Sequence, residues 1–162
     1  MTPKSLTLIA IVALIWLGGP ARGAEAQDVA YHSTIKADFS ESLAALQEAV
    51  VNKGLVIDYT GMVGAMLART GPDVGALTPY ANAGYLQFCS AKLTHAAVSA
   101  NPGNIALCPF VVFAYELKDS PGKTVLGYRR PYGADGQASR AAVQEIDKLL
   151  RSVVDDATQA AQ

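Results

Sequence analysis

Three residues near the middle of the chain have side chains that could do chemistry: Cys89, His95 and Cys108. The two cysteines are the only ones in the sequence, and each lies where an apolar, strand-like run meets the segment between them. Paired cysteines can form a disulfide, while free thiolates can act in redox chemistry or bind a metal ion together with an imidazole. We therefore expect any functional site of this protein to include this stretch.

Three interpretations of these residues are open from the sequence. The first is a structural disulfide between Cys89 and Cys108, which is common in exported proteins. The second is a redox-active thiol, because Cys89 precedes a helix N-terminus, whose dipole stabilises a thiolate. The third is a metal or haem site that uses Cys89, Cys108 and His95. No C-x-x-C-H sequence is present, which excludes covalent attachment of a c-type haem.

The direction of the flanking strands decides whether a disulfide can form. Residues 83–89 read AGYLQFC and residues 109–117 read PFVVFAYEL, and both have strand composition. If these strands are antiparallel neighbours, the two cysteines can lie within the roughly 7 Å between Cα atoms that a disulfide allows. If they are parallel, the cysteines lie at opposite sheet ends, about 20 Å apart. We favour the antiparallel arrangement.

The elements that must position these residues follow from periodicity. Residues 29–37 alternate as a half-buried strand, with His32 on its more polar face. An apolar stripe then predicts a helix that ends at Gly54. The same reasoning predicts strands at 55–60, 83–89, 109–117 and 123–130, short helices at 61–71 and 90–99, and a long C-terminal helix from residue 139. This order predicts an α+β sandwich, with an antiparallel-rich sheet and its helices packed on one face.

The first 26 residues have the features of a secretory signal peptide. Lys4 supplies a positive start, residues 6–17 form an apolar run, and Ala24-Glu25-Ala26 has the small-x-small cleavage pattern. The run is shorter than the ~20 residues that a membrane-spanning helix needs. We predict cleavage after residue 26, a single domain at 27–155 and a frayed tail at 156–162. A periplasmic or secreted protein without a membrane span is the expected product.

Composition and motifs exclude several classes of function. The formal net charge of -1, with Arg129-Arg130 as the one adjacent basic pair after the signal, argues against a nucleic-acid partner. The sequence has no G-x-S-x-G, H-E-x-x-H, P-loop or G-x-G-x-x-G motif. Glu116, within an apolar strand, could be a buried general base, but we favour an exposed carboxylate that pairs with Lys123 or Arg129. These observations favour a non-enzymatic function.

Two longer stretches resemble a known family. They read DFSESLAALQEAVVNKGL and FCSAKLTHAAVSANPGNIALCPFVVFAYEL, and they are similar to the domain-of-unknown-function family 302 over residues 30–131. The most telling parts are the helix that ends at Lys53-Gly54, the segment from Cys89 to Pro102, and the Cys108-Pro109 start of the next strand. The resemblance implies a small β-α-β(4)-α fold, like one half of the TATA-binding protein, often found as a homodimer. Likeness to a nucleic-acid-binding fold carries no nucleic-acid function.

Taken together, the sequence favours an exported binding or accessory protein with its site at the Cys89 and Cys108 end of the sheet. Its ligand could be a small molecule, a metal ion or a periplasmic protein, and no cofactor can be named. One alternative is a thiol-redox, metal-handling or haem-handling protein that uses Cys89, Cys108 and His95. The other is a structural subunit whose dimer or complex interface is its function.

Overall fold

The computed structural model of the chain describes residues 28–162, so the predicted signal peptide at residues 1–26 lies outside the described part. No helix within the described residues is both long and apolar enough to cross a membrane. The elements, in chain order, are β1 (Ala30–Ile35), α1 (Phe39–Asn52), β2 (Ile57–Gly61), α2 (Val63–Val74), β3 (Tyr80–Phe88), α3 (Ala91–Ala100), a 3-10 helix (Pro102–Leu107), β4 (Phe110–Leu117), β5 (Thr124–Arg129) and α4 (Gln137–Ala160).

The strands form one antiparallel sheet in the order β1-β5-β4-β3-β2. Adding α1 and α4 gives the β-α-β(4)-α order, with α2 and α3 inserted between strands. The α+β prediction is therefore confirmed. β3 and β4 are antiparallel neighbours in register up to the Phe88–Phe110 pair, which is the arrangement that we favoured for the two cysteine-flanking strands.

One face of the sheet packs against α1 and α4 and forms the hydrophobic core. Leu46 and Val50 from α1 and Ile146 and Leu150 from α4 are buried against alternate residues of the central strands. Within this layer, the Tyr128 hydroxyl donates a hydrogen bond to Asp147 Oδ1 at 2.9 Å. Burial first, and this bond second, raise the pKa of Tyr128 well above its ordinary value, so it stays a neutral donor.

The opposite side of the sheet, which we call the open face, carries half-buried apolar and aromatic side chains. Its members are Tyr85, Gln87, Val111, Phe113, Tyr115 and Val125. A single cross-strand row runs over the sheet through Gly61, Tyr85, Phe113, Gly127 and His32. The rings of Tyr85 and Phe113 occupy the space that a β-carbon would need at Gly61 and Gly127, respectively. The two glycines therefore let the neighbouring rings lie flat on the sheet.

Two helices are longer than the sequence pattern predicts. α2 continues through Pro72 to Val74 and ends at Gly75, which has the left-handed conformation that favours glycine. α4 continues through Ala160, where we expect residues 156–162 to fray. Ala157 is fully buried in the core, and Lys53 Nζ donates to Asp156 Oδ2 at 2.7 Å, so tertiary contacts hold this last part of the helix.

Candidate functional site

A disulfide joins Cys89 at the end of β3 to Cys108 just before β4. The antiparallel pairing of β3 with β4 places their Cα atoms 5.6 Å apart, inside the range that a disulfide allows. Both cysteines of the described residues are used in this bond. A thiolate for redox chemistry or metal binding would therefore become available only after the bond is reduced.

The segment that the disulfide closes contains α3 and the 3-10 helix, and short polar side chains fix its turns. Ser90 caps α3, since its Oγ accepts from Leu93 N at 3.4 Å, and Asn101 Oδ1 accepts from Gly103 N at 2.8 Å. Asn104 is buried and joins the segment to the rest of the fold through several hydrogen bonds. The segment is thus a fixed structure at one end of the sheet.

An open cavity lies between this segment and the chain that leads into β2. It measures about 560 Å³ and is mainly apolar, and we call it the Cys89 groove. Its apolar lining comes from Leu55, Val56, Cys89, Ala91, Val98 and Ile105. Its polar lining comes from Asp58, Thr94 and His95. An apolar cavity with a few polar groups is the usual form of a small-molecule site.

The structure brings two of the three predicted site residues, Cys89 and His95, to this one groove. Cys108 is bonded to Cys89 but is not among the residues that line the groove. Thr94 lines the groove, but its Oγ1 is buried and has no hydrogen-bond partner within the described residues. Over residues 28–162, no three His, Cys, Asp or Glu side chains are grouped closely enough to hold a metal ion.

Sequence reasoning missed two large, exposed apolar residues of the groove. Val56 is 73% exposed and Ile105 is 61% exposed, and they come from separate parts of the chain. Val56 reads as part of a strand, and Ile105 is a lone aliphatic residue after the Asn101-Pro102-Gly103-Asn104 turn. The one sequence feature that could have indicated the groove is an aliphatic residue directly after a turn, because a residue there has no hydrophobic core to pack into.

Glu116, the other carboxylate considered from sequence, lies away from this end of the sheet. Its Oε2 accepts from Asn82 Nδ2 at 3.0 Å and its Oε1 accepts from Gly122 N at 2.8 Å. The expected pairing with Lys123 or Arg129 is not found among the described contacts, because the hairpin turn offers a backbone donor instead. The bond from Gly122, and then that from Asn82, holds the pKa of this carboxyl below its ordinary value. A lowered pKa makes Glu116 a poor general base.

The fold and the groove together define a small α+β domain with one helix-covered sheet face and a disulfide at one end of the sheet. The chain belongs to the family described as domain of unknown function DUF302, whose family model matches residues 31–160. It is similar to the crystal structure of an uncharacterized conserved protein DUF302 from Bacillus stearothermophilus. The TM-score is 0.65 at 16% sequence identity, and the match covers 80% of this chain and 98% of that chain. A comparison with curated proteins finds no match.

Proposed function

We propose that this protein is an exported binding or accessory protein that takes a mainly apolar small ligand in the Cys89 groove. The observation that carries the proposal is the groove itself, since Val56 and Ile105 leave large apolar surfaces exposed on its lining. Contiguous exposed apolar surface in a concave site favours an apolar ligand over a purely polar one. Asp58 and His95, both exposed, supply the polar contacts that would orient it.

An uncharged fluorescent probe, N-phenyl-1-naphthylamine, tests the groove directly. Ala91 lines the groove on α3, so Ala91→Phe places a ring in the space that the ligand would use. Ala96 is exposed on the same helix outside the groove lining, which makes Ala96→Phe the matched control. We expect the probe to bind the wild type and the control, and Ala91→Phe to weaken binding about tenfold or more. Equal binding by both variants would overturn the proposal.

Export is part of the proposal and rests on the signal-like N-terminus. Cell fractionation with intact mass measurement of the recovered protein tests it. We expect to recover the protein outside the cytoplasm, with the mass of a chain that begins at Gln27. A full-length protein in the cytoplasmic fraction would refute this part alone and would leave the groove proposal to its own test.

A metal or haem site needs a reduced Cys89–Cys108 pair, while a thiol-redox function needs a disulfide that a cellular thiol can reduce. Alkylation of the native protein before and after incubation with reduced glutathione, followed by intact mass, distinguishes these from the binding proposal. We expect no alkylation and a mass two hydrogens below that of the dithiol. Labelling of both thiols, or a metal or haem absorbance in the purified protein, would instead favour a site formed by Cys89, Cys108 and His95.

A second candidate function is a homodimer built through the open face. The observation that favours it is a set of half-buried side chains without formal charge, Tyr85, Gln87, Val111, Phe113, Tyr115 and Val125, with Arg129 at the edge of the set beside Val111. Because a two-fold interface places the same patch on both subunits, the uncharged centre of this patch meets its own copy without repulsion. Five strands of about six residues give a footprint of about 500 Å². A stable dimer buries about 800 Å² on each partner, so we expect a weak, concentration-dependent dimer.

Sedimentation over a range of protein concentrations tests the dimer. Val125 lies on the open face opposite Tyr115, so Val125→Lys would bury an unpaired charge in the interface. Val51 is exposed on α1 at 57%, and Val51→Lys is the control with the same change in charge. We expect dimers for the wild type and the control and monomers for Val125→Lys. A wild type that is monomeric at every concentration would remove this candidate.

A further inference from the structure

Arg129 and Arg130, the one adjacent basic pair after the predicted signal peptide, line a second cavity. Arg129 ends β5 and Arg130 follows it, and both line a cavity of about 330 Å³ at the same end of the sheet as the disulfide. The cavity reaches the hydrophobic core, because its lining includes the buried residues Leu107, Phe110 and Leu150. An apolar interior with two cationic groups beside it is an unusual combination.

The 3-10 helix separates this cavity, which we call the arginine cavity, from the Cys89 groove. Ile105 lines the groove, while Ala106 and Leu107, the next residues, line the arginine cavity. The 3-10 helix therefore lines both sites, but a ligand in one does not occupy the other. Variants made in one can serve as controls for the other.

Within residues 28–162, no acidic side chain forms a salt bridge with the arginines of this cavity. No acidic residue is among those that line the cavity. Arg129 Nη2 donates to the carbonyl oxygen of Pro109 at 3.0 Å, which fixes the guanidinium with a single neutral acceptor. Asp147 lines an adjoining cavity with Arg130, but no salt bridge joins the two among the described residues. The remaining guanidinium donors are thus open to an anion.

We propose that the arginine cavity binds a small aliphatic carboxylate. The carboxylate would accept hydrogen bonds from Arg129 and Arg130, for which the planar guanidinium has matching geometry. The aliphatic tail would lie against Val29 and Tyr132, the large exposed apolar residues of the lining, and remove their surface from water. The volume lies at the lower end of the range for ligand sites, which fits a short chain rather than a long one.

Isothermal titration calorimetry with octanoate tests the proposal on the purified protein. 1-Octanol keeps the tail without the charge, and inorganic phosphate keeps an anion without the tail. We expect one octanoate to bind per chain, with 1-octanol and phosphate each about tenfold weaker or undetectable. These comparisons use the wild type and so do not depend on whether a variant folds.

Variants then locate the site. We expect Arg130→Gln and Arg129→Gln each to weaken octanoate binding about tenfold, because each removes a charge-assisted hydrogen bond. Arg140→Gln is the control, since Arg140 is exposed on α4 and lies outside the cavity lining. Ala91→Phe in the groove should leave octanoate binding unchanged. The proposal is overturned if octanoate fails to bind, if phosphate binds as well as octanoate, or if Arg140→Gln weakens binding as much as the cavity variants.

Discussion

The side-chain amide of buried Asn104 donates a hydrogen bond to Ser139 Oγ at 3.0 Å and so ties the 3-10 helix to the start of α4. The same amide nitrogen donates to the carbonyl oxygen of Ala97 at 2.9 Å, and Asn104 Oδ1 accepts from Ala134 N at 2.8 Å. One side chain therefore connects three parts of the fold around the wall between the groove and the arginine cavity.

Asn104→Ala should lower the free energy of unfolding by about 3 kcal/mol, because it leaves buried polar partners without a hydrogen bond. Chemical denaturation measures the loss. Asn52→Ala, at the exposed end of α1, is the control and should change stability by less than about 0.5 kcal/mol. Similar losses for the two variants would mean that the Asn104 hydrogen bonds contribute little.

The disulfide should make a large contribution to stability. Replacing both Cys89 and Cys108 by serine should lower the free energy of unfolding by about 2–4 kcal/mol, since the unfolded chain regains the freedom of the closed loop. The wild type unfolded in the presence of a thiol reductant should lose a similar amount. A double variant as stable as the oxidised wild type would show that pairing of β3 with β4 is sufficient without the bond.

Glu116 should make stability depend on pH. Its hydrogen bonds hold the pKa of the folded carboxyl below the ordinary value of 4.5, so the ionised form is the one that the fold favours. Its contribution is therefore full above about pH 4.5 and is lost as the pH falls through the lower, folded pKa. When the pH is lowered from about 6 to about 3, the free energy of unfolding should fall less in Glu116→Gln than in the wild type.

Denaturant midpoints measured across this pH range test the Glu116 prediction. Glu48, exposed on α1, gives the control variant Glu48→Gln, which should keep the wild-type slope. Parallel curves for the wild type and Glu116→Gln would show that the Gly122 and Asn82 hydrogen bonds do not favour the ionised carboxylate.

The pairing of Gly61 with Tyr85 predicts a specific coupling. The nearest atoms to a β-carbon at residue 61 all belong to the Tyr85 ring, the closest at 2.5 Å. Gly61→Ala should therefore lower the free energy of unfolding by about 1–3 kcal/mol through overpacking. Gly61→Ala should lower the free energy of unfolding by less in a Tyr85→Ala background, which a double-mutant cycle measures. Equal losses in the wild-type and Tyr85→Ala backgrounds would contradict the prediction.

Gly127 gives the control for this coupling. Phe113→Ala should not reduce the loss caused by Gly127→Ala, because a β-carbon at residue 127 also meets the backbone oxygen of Tyr31.

Much of the fold could be predicted from the sequence because its signals are local. The alternation of apolar and polar residues in β1 and the apolar run PFVVFAYEL, which contains β4, each indicate a strand. Apolar residues at helical spacing indicate α1 and α4. The end of α4 was harder to predict. The spacing of Val153, Val154 and Ala157 continues the apolar stripe, but an alanine among polar residues gives little sign that it is buried.

The candidate site was only partly predictable, because it depends on contacts between distant parts of the chain. Cys89 and His95 could be chosen by residue type, but spacing alone could not decide between antiparallel and parallel strands. Val56 and Ile105 become groove residues only when the chain before β2 meets the 3-10 helix. Likewise, Arg129 and Arg130 were visible as a basic pair, whereas their apolar cavity is formed by α4 and the 3-10 helix.

The most direct test of the ligand-binding account is to map where N-phenyl-1-naphthylamine binds, using backbone amide chemical shifts of the labelled protein. The account predicts that the largest shifts occur at groove residues, with Val56, Ala91, His95 and Ile105 among them, and that at the same probe concentration those of Val56, His95 and Ile105 are much smaller in Ala91→Phe. Shifts centred on Tyr85 and Phe113 of the open face, or unchanged in Ala91→Phe, would contradict the claim that the Cys89 groove is the ligand site.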